Sequence, residues 1–297
     1  MAPISAEQEA WDEHVAWSKA ATRLKSRRTN ARAIVLYLTI AGAALQTLAG
    51  TVRSLSMPAG IAGTVALSIV PIIAGYFLKP EATRKWLRAR SISEGIKSEV
   101  YTYDAGGAPY DGTNAAAKLT AKYREIRDLG KDFITERAAI ALSATSAPGP
   151  LTSDQYLALR IDQQVVEYYA KKAKEYLEKA EKFRSIEVAL ALLAAILSAV
   201  ATYLSSHHAG DGIQLGPWVA VLTTIGGSIA AYAAAERYDV QATTFFATSA
   251  QLQDLARDWR NSGATAPSPE WSTFVRRCEE VISAENRAWM AKLEPKE

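Results

Sequence analysis

The sequence predicts an all-α membrane protein: four transmembrane helices in two hairpins, with a cytoplasmic helical bundle formed by helix extensions. Three observations carry this. Twenty residues between Arg32 and Arg53 and twenty-five between Arg53 and Lys79 contain no Asp, Glu, Lys or Arg, and the pattern returns over 188–210 and 212–235. A hydrocarbon core of ~30 Å takes roughly 20 apolar residues of helix, and only a helix or closed barrel satisfies its own backbone there. Basic residues flank the apolar stretches on one side only: Lys19, Arg23, Lys25, Arg27, Arg28 and Arg32 precede the first, and Lys79, Arg84, Lys85, Arg88 and Arg90 follow the second. Lys171, Lys172, Lys174, Lys179, Lys182 and Arg184 precede the third, whereas the two hairpin loops hold only Arg53 and Asp211. By the positive-inside rule both termini and the central region are expected in the cytoplasm.

The elements follow in order. Residues 5 to 32 read as a helix that enters the membrane at Ala33 without a Gly or Pro break; Ser5 with Gln8 resembles a capping box. Spans are expected at about 33–52 and 59–78, the second containing Pro71. A helix to about Tyr101 precedes a Gly-, Pro- and Asp-rich loop, and Asn114 to Ala144 has helical composition. Ser146-Ala-Pro-Gly-Pro is the clearest break, so the halves are drawn at 1–150 and 151–297. Thr152 or Ser153 caps a helix expected to run unbroken from Asp154 to about Ser206, roughly 80 Å long. It would contain the span at about 188–206. Pro217 and Trp218 start the span at about 217–235, helix resumes through Trp259, and a last helix covers 270–293. A shift of 156 residues lays Tyr76 on Tyr232 and Ser68 on Thr224, which leaves a duplication or two ordinary hairpins as readings.

Composition excludes several functions. A net charge of +3 is too small to argue for nucleic acid, and the single Cys278 excludes a disulfide framework within one chain. No cleavable signal is read in the first residues. His207 and His208 are adjacent in a loop, His14 stands alone, and Gly106-Gly107 lacks the flanking pattern of a phosphate loop. No catalytic constellation, metal site or cofactor is expected.

The long helix carries Tyr156-x-x-x-Arg160-x-x-x-Gln164-x-x-x-Tyr168, then Tyr169 and Ala173, directly before a span hairpin. The last helix reads Phe274-x-x-x-Cys278-Glu279-x-x-x-Ser283-x-Glu285-x-x-x-Trp289. Residues 153 to 292 resemble the SLATT family, bacterial two-span membrane domains associated with nucleotide-sensing and nucleotidyltransferase partners, and the N-terminal half resembles a weaker copy. The resemblance implies a pore-forming effector of bacterial conflict systems in the inner membrane, with a nucleotide-sensing partner protein in the cytoplasm. The chain departs from the family in having two hairpins and no recognisable sensor domain.

A conduction path needs polar groups facing an assembly axis. Thr224, Ser228 and Tyr232 share a face of the fourth span, and Thr64, Ser68 and Tyr76 take the matching part in the second. Small and hydroxylated residues also mediate helix packing in lipid, as at Gly226-x-x-x-Ala230 or Gly227-x-x-x-Ala231. Glu81, Glu187 and Glu236 stand at span ends, either as a cation-concentrating mouth for permeating ions or paired with Arg84, Arg184 and Arg237. Tyr156, Arg160, Gln164, Tyr168, Glu285 and Trp289 are candidates for an assembly or partner surface, or else the core of a juxtamembrane bundle. Arg160, in an aromatic stripe, calls for a carboxylate or a π face. The expected function is a homo-oligomeric channel in the lipid bilayer; the alternative is a membrane-anchored scaffold whose bundle binds a partner.

Overall fold

The computed structural model describes residues 5–141, 145–207 and 215–293, without the side chains of 207 and 285–293. Among these residues every regular element is helical. Helix α1 (Ala6–Thr51) passes from the polar N-terminal run into the first apolar segment without interruption. A 3₁₀ turn (Arg53–Leu55) reverses the chain into α2 (Ser56–Phe77), with Pro71 inside it. Then come α3 (Pro80–Asp104), α4 (Ala115–Asp128), a 3₁₀ turn (Lys131–Phe133) and α5 (Ile134–Ala138). The second half holds α6 (Ser153–Tyr156), α7 (Lys171–His207), α8 (Gly216–Glu236), α9 (Tyr238–Ser262) and α10 (Pro269–Leu293).

Local chemistry explains the boundaries. Thr152 closes a reciprocal capping box with Gln155 and so starts α6. Ser5 caps α1 in one direction only: its Oγ accepts from the Gln8 amide at 3.1 Å, while the Gln8 side chain turns to Asp12 and the Thr145 carbonyl. Arg237 stops α8 in the left-handed region at φ 51°, where a non-glycine residue is strained.

One expectation is corrected and one refined. The helical stretch expected from Asn114 to Ala144 breaks after Asp128 at Gly130 (φ −102°, ψ 9°), which packs so closely that a Cβ there would lie 2.5 Å from the buried Trp17 ring; residues 142–144 lie outside the described residues. The long helix is continuous, but Leu157–Asp162 and Gln164–Ala170 are π-helical, the Gln163 N–H donating to the Ala158 carbonyl five residues back. The hairpin loop after His207 lies outside the described residues.

The chain divides into two compact units. The apolar unit holds residues 27–79 and 175–240 and contains the four span-length apolar segments. This is a multi-pass membrane protein. In its first hairpin, α1 and α2 approach closely at Gly63, where a Cβ would meet the Gln46 backbone nitrogen at 3.2 Å. Small residues permit such approach where lipid offers no hydrophobic drive. In the second, Phe183 of α7 packs on Tyr232 of α8 at 5.5 Å. Arg32, at the start of the first apolar segment, bonds Glu236 at 2.7 Å and the Ala235 carbonyl at 3.1 Å, joining the two hairpins at one end.

The polar unit holds residues 1–26, 80–174 and 241–297. Its core on one side gathers Trp17 of α1, Trp86, Ile92 and Ile96 of α3, Leu119 and Tyr123 of α4, and Phe133. Another buried set comes from α6, the π-helical run, α9 and α10: Tyr156, Ile161, Tyr169, Leu252, Trp271 and Cys278. Helix α3 packs on both α4 and α10, so it carries its side chains between these groups.

Candidate functional site

The polar unit closes around one charged cluster. Arg160 is 1% exposed, and its guanidinium grips Glu279 of α10 with two bonds, Nε to Oε1 at 2.8 Å and Nη2 to Oε2 at 2.7 Å. The Tyr156 hydroxyl donates to the same Glu279 Oε1 at 3.0 Å, and Arg160 Nη1 reaches Gln164 Oε1 at 3.4 Å. Tyr101 of α3 lays its ring against the guanidinium, 4.4 Å from centroid to Cζ. Arg160 therefore meets both partners that its aromatic setting calls for, a carboxylate and a π face.

The π-helical backbone explains how the motif assembles. In an α-helix a spacing of four advances about 400°, so a stripe of four such residues drifts by about 40° per step. The wider π turn absorbs that drift. Tyr156 and Arg160 consequently meet Glu279 of α10, Gln164 accepts from Arg160 next along the stripe, and Tyr168 accepts from Arg90 of α3 at 3.1 Å.

Electrostatics hold the cluster charged. Burial alone would pull the Arg160 proton off more easily, but the Glu279 charge and hydrogen bonds hold it above the ordinary arginine range. Burial likewise pushes Glu94 up, and Lys97, Arg90, Arg160 and His14 outweigh it, so its carboxyl titrates below the usual value. Lys97 is pulled down by burial and by Arg160. Burial and the neighbouring Glu279 push the Tyr156 hydroxyl and the Cys278 thiol up, so both stay protonated. Burial and Lys97 pull His14 down to about 4; the neutral ring sits 2.9 Å from both the Ser93 hydroxyl and its carbonyl.

Two family models match the chain. One is described as the SMODS and SLOG-associating 2TM effector domain 1 and covers residues 156–289. It begins at Tyr156 and takes in both helices of the Arg160–Glu279 pair.

Residues 156–289 carry a SLATT domain.

The other model, described as a protein of unknown function (DUF4231), matches residues 15–118. No curated protein and no solved structure matches. The SLATT domain makes this a membrane-associated effector protein.

The sequence-predicted residues fall in different places. Tyr156 and Arg160, read either as an assembly or partner surface or as the core of the bundle, are buried, because the ion pair and the Trp271 and Phe274 rings enclose them. Gln164 and Tyr168 are half-buried; Glu285 and Trp289 lie on α10, but their side chains are outside the described residues. Among the candidate pore residues, Thr64 faces its own hairpin, accepting from Gln46 Nε2 at 2.9 Å, and Tyr232 packs on Phe183. Ser68, Tyr76 and Thr224 are exposed on the protomer, with the Thr224 hydroxyl returned to the Ala220 carbonyl; Ser228 is half-buried. At the proposed mouth, Glu81 pairs with Arg84 at 3.1 Å as expected. Glu236 pairs with Arg32 instead of Arg237, and Arg184 reaches Asp239 instead of Glu187. Glu187 makes no hydrogen bond or ion pair among the described residues.

Sequence reasoning missed Glu279, Lys97, Glu94 and Tyr101. Glu279 stood inside the quoted α10 motif, and its signal was a carboxylate on the apolar face of an amphipathic helix, beside the buried Cys278. The α3 residues carried no signal beyond helical spacing.

Proposed function

We propose that the protein is an oligomeric pore-forming effector of the bacterial inner membrane, with both termini cytoplasmic. The observation that carries this reading is an exposed small-residue face on α8. Ala220, Thr224, Gly227 and Ala231 recur at helical spacing, all are exposed, and a Cβ at Gly227 would meet nothing. Lipid gains little from such a face, whereas a second copy could approach it closely. The polar groups inside the protomer are used for packing, as at Gln46–Thr64, so an aqueous path calls for several protomers. Ser68 and Thr224 then stand where hydroxyls could line it. Ions are the permeant species, and a separate nucleotide-sensing protein is the natural trigger for a SLATT effector domain.

The test is current across a planar bilayer, combined with oxidative crosslinking of a Thr224→Cys chain, whose native Cys278 is buried. Crosslinked oligomers, and discrete currents altered by Thr224→Leu, support the pore. Monomers at verified insertion, with currents indifferent to the substitution, reject it. The second reading, a membrane-anchored scaffold, is favoured by the enclosed Arg160 cluster, which makes the polar unit a rigid platform. It predicts that function survives replacement of the spans by unrelated apolar helices.

A further inference from the structure

Beside the Arg160 cluster the polar unit holds a cleft of about 410 Å³. Helix α3 supplies Arg90, Glu94 and Lys97 to one wall, and the π-helical run supplies Gln164 and Tyr168 to the other. Glu94 and Lys97 are three apart on α3, a spacing at which exposed pairs in this chain do bridge, Glu81 with Arg84 and Lys122 with Glu125. Here they do not: neither the Glu94 carboxylate nor the Lys97 ammonium makes a hydrogen bond or ion pair among the described residues. Both are half-buried; nearby charges keep the Glu94 carboxylate ionised, yet it and the Lys97 ammonium each lack a hydrogen-bond partner, which is costly there.

The neutral groups complete the pattern. Tyr168 accepts from Arg90, so its own O–H remains to donate. Gln164 accepts from Arg160 through Oε1, so its amide N–H₂ remains to donate. Three unspent donors and the Glu94 carboxylate thus face one cleft; Glu167 also lines it, with one carboxylate oxygen taken by Gln163 Nε2 at 3.0 Å. The volume lies in the range of small-molecule sites, and a π-helical wall is a frequent mark of a functional position.

We propose that this cleft binds a small zwitterion of the α-amino-acid class. Lys97, Gln164 and Tyr168 receive its carboxylate, and Glu94 receives its ammonium. A simple anion would face Glu94 as a like charge and give it no donor, and a simple amine would do the same to Lys97. The ring faces nearby are already occupied, Tyr101 by Arg160 and Tyr168 by edge contacts with Tyr169 and Phe245, so the site selects a polar ligand and not a stacked aromatic one. This proposal makes no assumption about permeation.

The experiment uses the full chain in lipid nanodiscs. Each of the twenty α-amino acids, with acetate, methylammonium and inorganic phosphate as partial probes, is screened by thermal unfolding and then by calorimetric titration. At least one amino acid should raise the unfolding midpoint by several degrees at millimolar concentration, as any ligand of the folded state does, and the partial probes should not. Lys97→Met and Glu94→Gln should each weaken binding at least tenfold. Tyr168→Phe keeps the ring packing, guards against a folding artefact, and should weaken it several-fold. Acetate or phosphate binding as well as any amino acid, without dependence on Glu94, overturns the zwitterion assignment. No binding by any amino acid overturns the site.

Discussion

Cutting the Arg160–Glu279 pair from either side tests the architecture of the polar unit. Glu279→Met strands a buried guanidinium already facing Lys97 and removes the acceptor of the Tyr156 hydroxyl. Losing one partner of a buried ion pair costs roughly 3–5 kcal/mol, and an orphaned hydroxyl adds about 1–3 kcal/mol. Arg160→Met strands the carboxylate but leaves it the Tyr156 bond, so it should cost less than Glu279→Met. The double variant removes both charges, and with them the desolvation that the pair had to overcome. What remains is the unmet hydroxyl of Tyr156 and amide of Gln164, so the double variant should lie well above the sum of the singles and recover further with Tyr156→Phe. Guanidinium unfolding in micelles, followed by the fluorescence of Trp17, Trp86, Trp259 and Trp271, reads these differences. Single variants each costing under about 1 kcal/mol, or a double variant equal to their sum, would refute the claim that the pair is buried and coupled.

Further expectations concern other parts of the chain. Gly130→Ala drives a methyl to within 2.5 Å of the Trp17 ring and 2.9 Å of Ile92; it should lower stability by about 1–3 kcal/mol, seen as an earlier Trp fluorescence transition. Gln46→Leu removes the bonds to Thr64 and the Gly60 carbonyl; it should cost about 0.6–1.7 kcal/mol in lipid, and steric trapping in bicelles checks it. The pH profile should carry two opposed slopes. Burial and the facing Glu7 hold Asp104 up to about 8 against 3.8 unfolded, so from pH 4 to 8 the folded chain keeps a proton that the unfolded chain loses, and stability falls as pH rises. Asp104→Asn should remove that slope and stabilise the protein at pH 7.5. His14, held down to about 4 against 6.5, loses stability as pH falls from 6.5 to 4, by up to about 3 kcal/mol. Urea midpoints measured across pH 4–9 separate the two.

The membrane half of the fold was legible because bilayer physics writes it plainly. A span is a run of twenty or so uncharged residues, and α1, α2, α7 and α8 each contain one. Helix starts were legible where a side chain does the capping, as at Thr152 and Ser5. Pairings between elements far apart in sequence were not. Arg237 is the nearest cation to Glu236 along the chain, yet Arg32, 204 residues away, holds it. Gly130 lay inside a stretch of helical composition, and its reason for being there is a Trp17 ring 113 positions earlier.

The Arg160 site shows how far local reading reaches. The four-residue spacing from Tyr156 to Tyr168 was visible, as was the need of a guanidinium among aromatics for a carboxylate or ring. The straightness of the stripe was not, since spacing of four on an α-helix would carry Tyr168 about 120° around from Tyr156. The π-helical backbone keeps the stripe straight enough for Tyr156 and Arg160 to meet Glu279 while Tyr168 still reaches Arg90. Such a backbone gives up ordinary hydrogen-bond geometry, so tertiary contacts must hold it, and Glu279, Arg90 and the Tyr101 ring supply them. An Arg160→Met/Glu279→Met chain should therefore relax toward α-helical register over 157–170. Hydrogen exchange would read this as changed protection of the Gln163 amide, which now donates to Ala158. Unchanged protection there would mean that the π geometry is intrinsic to the segment and owes nothing to the ion pair.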